Sequence, residues 1–275
     1  MNQTERRIYM IKALLQERED FFQVPVPMDE EEQKRLLRGL MNLRMPMPVD
    51  EEFLEVQDRY LQEESRRRGI VRLESLRPVR EGIYLWRGDI TTLEVDAIVN
   101  AANSQMTGCY IPNHACIDNC IHTYSGIQLR LACADMMERQ GFEEPVGRAK
   151  ITEGYNLPAK YVIHTVGPTV QGELTEEDKG KLASCYVSCL ALAEEKQLKS
   201  IAFCCISTGV FRFPNEEAVR IAVHSVDAYR KKSGSRMSVV FNVFLPKDEE
   251  IYRRLLKMES AAPGRADGKR EADNR

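Results

Sequence analysis

The sequence predicts an α/β fold, in which a sheet is covered by helices on both faces, behind a helical N-terminal extension. From about Gly82 onwards, short apolar runs alternate with amphipathic stretches, a pattern typical of strands alternating with covering helices. Before residue 75 the apolar residues recur at helical spacing instead. A chain of 275 residues has room for one α/β domain and a smaller attachment.

Three helices are predicted in the extension, residues 1–75. The first follows a cap at Thr4 and ends before the break at Pro25-Val26-Pro27. Asp29 with Glu32 three residues later is a capping-box pattern, which begins the second helix. After a second break at residues 46–48, a third helix runs to the basic residues 66–68.

Six strands and the helices between them are predicted in the main domain, residues 76–259. The tail, residues 260–275, is polar and rich in Gly and charge, and is predicted to be disordered. The strand candidates are residues 83–86, 97–99, 149–152, 161–166, 201–205 and 239–244.

Composition excludes several classes of protein. The formal net charge is −3, which provides no dense basic face for a nucleic-acid backbone. No apolar run reaches membrane-spanning length, and the N-terminus lacks a secretory apolar region. Eight Cys in a chain of this length are not a disulfide framework. We therefore expect a cytoplasmic protein without nucleic-acid or membrane partners.

Polar residues follow two of the predicted strands. Asp89 comes after the first, beside Gly88, and its carboxylate can accept from an exocyclic amine. A plain turn in which Asp89 caps a helix is the alternative. Asn100 and Asn103 end the second strand, and their amides suit ribose hydroxyls. Ordinary turn chemistry is the alternative for both.

The segment from Cys109 to Cys120 contains three Cys and a His within twelve residues. Two thiolates and an imidazole, from Cys109, His114 and Cys116, can close on one tetrahedral zinc ion with an open fourth position. Cys120 lies one helical turn beyond Cys116 and closes the site in an alternative, purely structural arrangement. Reduced Cys without any metal are the third possibility.

Asp118 lies two residues after Cys116, where a helix is predicted to start. Its carboxylate is interpreted as a base or water-orienting group, or alternatively as a helix N-cap. A fourth segment, Ser207-Thr208-Gly209-Val210-Phe211, follows a buried strand and precedes a helix near Asn215. Its backbone N–H groups can face a pyrophosphate.

Together these segments resemble the macrodomain family, specifically hydrolases of the MacroD type, over roughly residues 82–257. The resemblance is carried by residues 88–91, 95–103, 147–152, 154–158, 160–168 and 201–214, and by the helix start at Ile117-Asp118. Where most macrodomain hydrolases have a glycine-rich loop, this chain has Cys109 to Cys116, which resembles the zinc-dependent subgroup. That subgroup often carries a helical N-terminal extension.

The resemblance implies a three-layer α/β/α fold with a mixed central sheet. It also implies that Asp118 and Asn103 are catalytic and that zinc is held by Cys109, His114 and Cys116. It further assigns Asp89 and the Ile90 backbone to adenine, Asn100 and Asn103 to the distal ribose, and residues 207–211 to the phosphates. The expected ligand is ADP-ribose, and the expected substrate is a mono-ADP-ribosylated protein.

The hypothesis from the sequence is therefore a zinc-dependent hydrolase that removes mono-ADP-ribose from acidic side chains. Its rival is a reader module that binds ADP-ribosylated proteins without turnover. A third hypothesis is an interaction protein in which zinc only braces the loop.

Overall fold

The computed structural model describes residues 1–21 and 23–260. The tail predicted for residues 260–275 lies outside the described residues except for Ser260, where the last helix ends. Among the described residues, none of the helices combines the length and the apolar content that crossing a bilayer requires.

A mixed sheet forms the centre of the molecule. Among the described residues it has seven strands, in the order β2-β3-β9-β8-β5-β7-β6. The five inner strands run parallel, while β2 and β6 are antiparallel edge strands. The strands of this sheet are β2 (Pro78–Arg80), β3 (Ile83–Arg87), β5 (Ala97–Ala102), β6 (Ala149–Glu153), β7 (Tyr161–Val166), β8 (Ser200–Phe203) and β9 (Ser238–Val243), and β1 (Val71–Arg72) pairs separately with β4 (Leu93–Glu94).

Helices cover the sheet in two layers, as the alternation of apolar runs predicts. Helices α4 and α5 pack on β5 and β6, α6 packs on β6 and β7, and α8 packs on β3 and β9. Helix α7 packs against α6 and α8. Strands β5, β7, β8 and β9 are almost entirely buried because they are covered on both faces, whereas β3 is only partly buried. These helices are α4 (Ile117–Ser125), α5 (Ile127–Gln140), α6 (Glu176–Glu195), α7 (Asn215–Ser233) and α8 (Pro246–Ser260).

The N-terminal extension forms three helices with an apolar core of their own. They are α1 (Gln3–Gln16), α2 (Glu30–Leu43) and α3 (Glu51–Arg68). Their core includes Met10, Leu37 and Phe53, and it reaches the main domain through Ile127 of α5. Helices α2 and α3 both contact α4, so the extension is packed against the helical layer that contains Asp118.

The predicted architecture is confirmed, with local corrections. The cap of the first helix is Asn2 rather than Thr4, because the Asn2 side chain accepts from Glu5 N–H and the Glu5 carboxylate accepts from Asn2 N–H. The strand predicted for residues 201–205 ends at Phe203, although Cys204 and Ile206 remain buried. Strands β1, β2 and β4 were missed because two or three residues are too few to show a period of two.

Candidate active site and metal centre

The parallel strands bring the predicted segments to one edge of the sheet. Asp89 follows β3, Asn103 follows β5, and Ser207 lies four residues after β8. These strands are parallel, so their carboxyl ends meet at the same edge, where open α/β sheets bind ligands. The loop from Cys109 to Cys116 joins β5 to α4 above this edge.

Asp89 is held on both carboxylate oxygens. Oδ1 accepts from the Thr91 backbone N–H at 3.0 Å and from Thr91 Oγ1 at 2.7 Å, which caps the short 3₁₀ helix Ile90–Thr92. Oδ2 accepts from Arg68 Nη1 at 2.9 Å. The capping alternative is therefore realised. It remains compatible with an adenine contact, because each carboxylate oxygen has more than one lone pair.

Arg68 was not predicted as a site residue. Its guanidinium also donates to Thr91 Oγ1 at 2.9 Å and stacks 3.6 Å from the ring centroid of Tyr124 in α4. The last turn of α3 thus fixes the orientation of the Asp89 carboxylate. In the sequence, only the basic run 66–68 indicates a role for Arg68, and such a run is equally typical of an ordinary helix C-terminus.

The Cys loop brings together the three predicted metal ligands. Cys109 Sγ lies 3.6 Å from His114 Nδ1, and the ligand atoms of Cys109, His114 and Cys116 lie within 4.8 Å of one another. Cys120 is outside this group, and its Sγ lies 3.5 Å from Arg38 Nη2. The geometry therefore favours a three-residue donor set over a closed set with four.

The donor set fits zinc. Two thiol sulfurs and one imidazole nitrogen are the mixed soft set that zinc accepts, and three protein ligands leave a fourth position for water or substrate. Burial, with a smaller contribution from the nearby Cys109, raises the pKa of the Cys116 thiol to about 12, against the opposing effect of a hydrogen bond from Asn119 N–H. Without a metal the Cys116 thiol is therefore protonated, and metal binding releases its proton.

Asp118 lies in the first turn of α4 and is buried, with 6% of its surface exposed. The N-cap of α4 is Cys116, whose Sγ accepts from Asn119 N–H at 3.4 Å, so the interpretation of Asp118 as the cap is wrong. Oδ1 accepts from Asn100 Nδ2 at 2.8 Å. Burial raises the pKa of Asp118 to about 6, against opposing effects of Asn100 and of the Arg130 charge.

A chain of buried polar groups lies behind Asp118. Asn100 Nδ2 also lies 3.2 Å from His164 Nδ1, and His164 Nε2 lies 2.9 Å from Thr152 Oγ1. Burial lowers the pKa of His164 to about 3, so its ring is neutral. The described residues give Asn100 Oδ1 no hydrogen-bond partner. Asn100, which was predicted to contact ribose, is thus fully buried and forms a direct hydrogen bond with Asp118, the predicted base.

His122, Cys133 and His164 form a second compact cluster, fully within the core. His122 Nε2 lies 3.6 Å from Asp118 Oδ1, and burial lowers the pKa of the His122 ring well below its usual value. Both ring nitrogens of His164 already have partners in Asn100 and Thr152. Neither ring nitrogen of His122 has a hydrogen-bond partner among the described residues, so His122 supports Asp118 by packing, while His164 acts on Asp118 through Asn100.

Asn103 and Phe211 line a cavity of about 390 Å³ at this edge, a size typical of small-molecule sites. Asn103 Nδ2 donates to Gly108 O at 3.1 Å, which ties it to the start of the Cys loop. Gly108 has φ +84°, and a Cβ there would lie 2.7 Å from the His122 ring. Asn103 is therefore placed beside both the cavity and the predicted metal ligands.

The predicted phosphate loop is a tight, exposed turn. Ser207 has φ +64° and Arg212 has φ +58°, an uncommon conformation for residues other than Gly. The Ser207 and Phe211 carbonyls accept from Phe213 N–H and Val170 N–H at 3.0 and 2.9 Å. Ser207 is buried, whereas Gly209 and Val210 are exposed at the tip. The five residues thus lie together at the sheet edge.

Comparison with known proteins agrees with this geometry. The sequence profile of the Macro domain family matches residues 99–222. A protein-ADP-ribose hydrolase of Treponema medium is 58% identical over 93% of this chain and 100% of its own length. A protein-ADP-ribose hydrolase of Staphylococcus aureus (strain MRSA252) is 48% identical over 92% of this chain and 95% of its own. The Trypanosoma brucei macrodomain in complex with ADP-ribose superposes with a TM-score of 0.62 at 30% identity, covering 79% of this chain and 94% of the other.

Proposed function

The chain belongs to the Macro domain family, and we propose that it removes mono-ADP-ribose by hydrolysis from acidic side chains of modified proteins. Relatives at 48% and 58% identity, both named protein-ADP-ribose hydrolases, support the hydrolase activity. The observation that carries the proposal is the placement of the donor set Cys109, His114 and Cys116 in the loop that leads directly into Asp118.

Asp118 is the proposed general base. A pKa of about 6 suits a base at neutral pH, because the carboxylate is then mostly ionised and still basic. Oδ1 is occupied by Asn100, so Oδ2 is the atom proposed to take the proton from the attacking water. The water oxygen then bonds to C1″ of the distal ribose as the bond from C1″ to the side-chain carboxylate breaks.

The remaining predicted residues bind and orient the substrate. Asp89 and the Ile90 backbone are proposed to contact adenine, residues 207–211 the pyrophosphate, and Asn100 and Asn103 the distal ribose. Asn103 is the proposed catalytic partner of Asp118, since it lines the cavity and bonds to Gly108 O. Cys109, His114 and Cys116 would hold zinc, which supplies a Lewis acid beside the distal ribose when bound.

The test is release of free ADP-ribose from a substrate mono-ADP-ribosylated on acidic residues. Zinc-loaded protein is compared with metal-stripped protein, and far-UV circular dichroism verifies that both are folded. The proposal expects release that is lost on stripping and restored by zinc. Binding of ADP-ribose without release by the loaded protein would overturn it in favour of a reader module.

A further inference from the structure

Arg38 connects the N-terminal extension to the predicted metal loop, which is the loop from Cys109 to Cys116. It lies on α2, and its Nη2 donates to the His114 carbonyl at 2.8 Å and to Asn119 Oδ1 at 2.9 Å. The same nitrogen lies 3.5 Å from Cys120 Sγ. A residue 76 positions away in sequence thus holds the backbone of a predicted ligand directly.

Asn119 holds the two ends of the same loop. It is completely buried in the first turn of α4. Its Nδ2 donates to the carbonyls of Ile111 at 3.0 Å and Cys109 at 3.4 Å, and its backbone N–H donates to Cys116 Sγ at 3.4 Å. The single side-chain oxygen of Asn119 accepts from Arg38 Nη2. The side-chain amide of Asn119 thus bonds through its nitrogen to the loop and through its oxygen to Arg38.

Arg38 and Asn119 together therefore contact all three predicted zinc ligands: Cys109, His114 and Cys116. The surrounding packing fixes the loop further. Asn113 has φ +56° at the loop apex, and its N–H donates to Asn42 Oδ1 of α2 at 2.9 Å.

Helix α2 also approaches the loop closely at Gly39. A Cβ at Gly39 would lie 3.3 Å from Asn113 Nδ2 and 3.8 Å from Pro112. The loop conformation is thus held from α2 and α4, and also by Arg130 of α5, whose Nη2 donates to Cys109 O at 3.4 Å. Within the loop, His114 N–H donates to Ile111 O at 3.2 Å.

We propose that Arg38 and Asn119 are positioning residues for zinc: they hold the loop in its metal-binding conformation before the ion arrives. This inference rests on zinc binding in the proposed function. A ligand loop that is already ordered loses less conformational entropy on binding. Partners that orient metal ligands typically contribute 10- to 100-fold in metal affinity. The N-terminal extension is, on this view, a structural part of the metal centre.

The experiment measures zinc affinity of the full-length chain by competition with a chromophoric chelator. Arg38→Ala is compared with the wild type and with Arg35→Ala, an exposed arginine one turn away on α2. We expect Arg38→Ala to weaken zinc binding about 10- to 100-fold, with Arg35→Ala within twofold of the wild type. Thermal unfolding of the metal-stripped proteins shows whether the fold itself has changed.

Arg38→Lys keeps the charge and the apolar stem. If Arg38→Ala destabilises the metal-free fold, the zinc affinity of Arg38→Lys becomes the test of the positioning role. A lysine side chain is one bond shorter than that of arginine, so its ammonium does not reach the position from which Nη2 donates to both His114 O and Asn119 Oδ1. We expect at least fivefold weaker zinc binding and an altered absorption spectrum with Co²⁺. Wild-type zinc affinity in both Arg38 variants overturns the positioning role. A wild-type chain that binds no zinc overturns the zinc site itself, and the positioning role with it.

Discussion

Asn100 of β5 donates to Asp118 of α4 at 2.8 Å, in a hydrogen bond that is buried in the domain. This hydrogen bond engages one oxygen of the carboxylate and stabilises its charged form, while burial acts in the opposite direction. The balance leaves Asp118 with a pKa of about 6, and the first two predictions depend on it.

Asp118→Asn should remove turnover and keep ADP-ribose binding, because only the proton-accepting oxygen is lost. We expect kcat to fall by about 10²- to 10⁴-fold, the usual contribution of a general base, with the Kd of ADP-ribose within threefold. Wild-type kcat/KM should rise with pH through about 6. Asp135→Asn, an exposed carboxylate on α5, is the control. Equal losses of binding and turnover would assign Asp118 to binding or folding.

The same substitution should stabilise the metal-stripped protein at neutral pH. The folded pKa of Asp118 is raised from 3.8 to about 6, so the folded state prefers the neutral carboxyl and loses stability as pH rises through this window. The cost above pH 6 is about 3 kcal/mol, at about 1.4 kcal/mol per pKa unit. Urea unfolding at pH 7.5 should show a gain of up to this size for Asp118→Asn. The gain should vanish below about pH 4, and a pH-independent gain would contradict the burial argument.

Arg68→Ala should weaken ADP-ribose binding about fivefold, because the net contribution of one hydrogen bond is ~1 kcal/mol. Its guanidinium fixes Asp89 Oδ2, so its removal leaves the carboxylate free to rotate away from the proposed adenine contact. Isothermal titration calorimetry is the measurement, and Arg66→Ala, exposed in the same helical turn, is the control. Tighter binding by Arg68→Ala would mean that Arg68 competes with adenine for Asp89 instead.

Cys116→Ser should abolish zinc binding and activity while the domain stays folded, whereas Cys120→Ser should keep both. Cys116 belongs to the three-residue donor set and Cys120 does not. Zinc content by mass spectrometry and the circular dichroism spectrum are measured for each purified variant. Loss of zinc from both variants would support the closed, structural arrangement with four ligands.

The fold was predictable where periodicity and turn chemistry extend over whole elements. The strand at residues 161–166 is confirmed to the residue, and the helix predicted near Asn215 begins there. Strands of two or three residues carry too little periodicity to be recognised. Asn2 was missed as a helix cap because Thr4 also has a capping side chain and stands nearer the first apolar residue.

The candidate site was predictable where chemistry is local in sequence. Cys109, His114 and Cys116 lie within eight residues, and the structure brings their ligand atoms together. The sequence did not predict roles for Arg38, Arg68 and His164, because each contacts a residue far away in the chain. A single sequence carries no signal of such pairing. His164 did offer a hint, since an imidazole in a buried strand needs hydrogen-bond partners.

Arg130 of α5 ties the extension to the main domain in a way that bears on how the protein moves. Its buried guanidinium donates to the carbonyls of Met41, Asn42 and Arg44 at the end of α2, and to that of Thr107 before the metal loop. Detaching α2 would leave the buried guanidinium of Arg130 without three of its hydrogen-bond acceptors. We therefore expect the extension to stay packed on the main domain, so that its amide protons exchange with those of the central sheet in one cooperative opening.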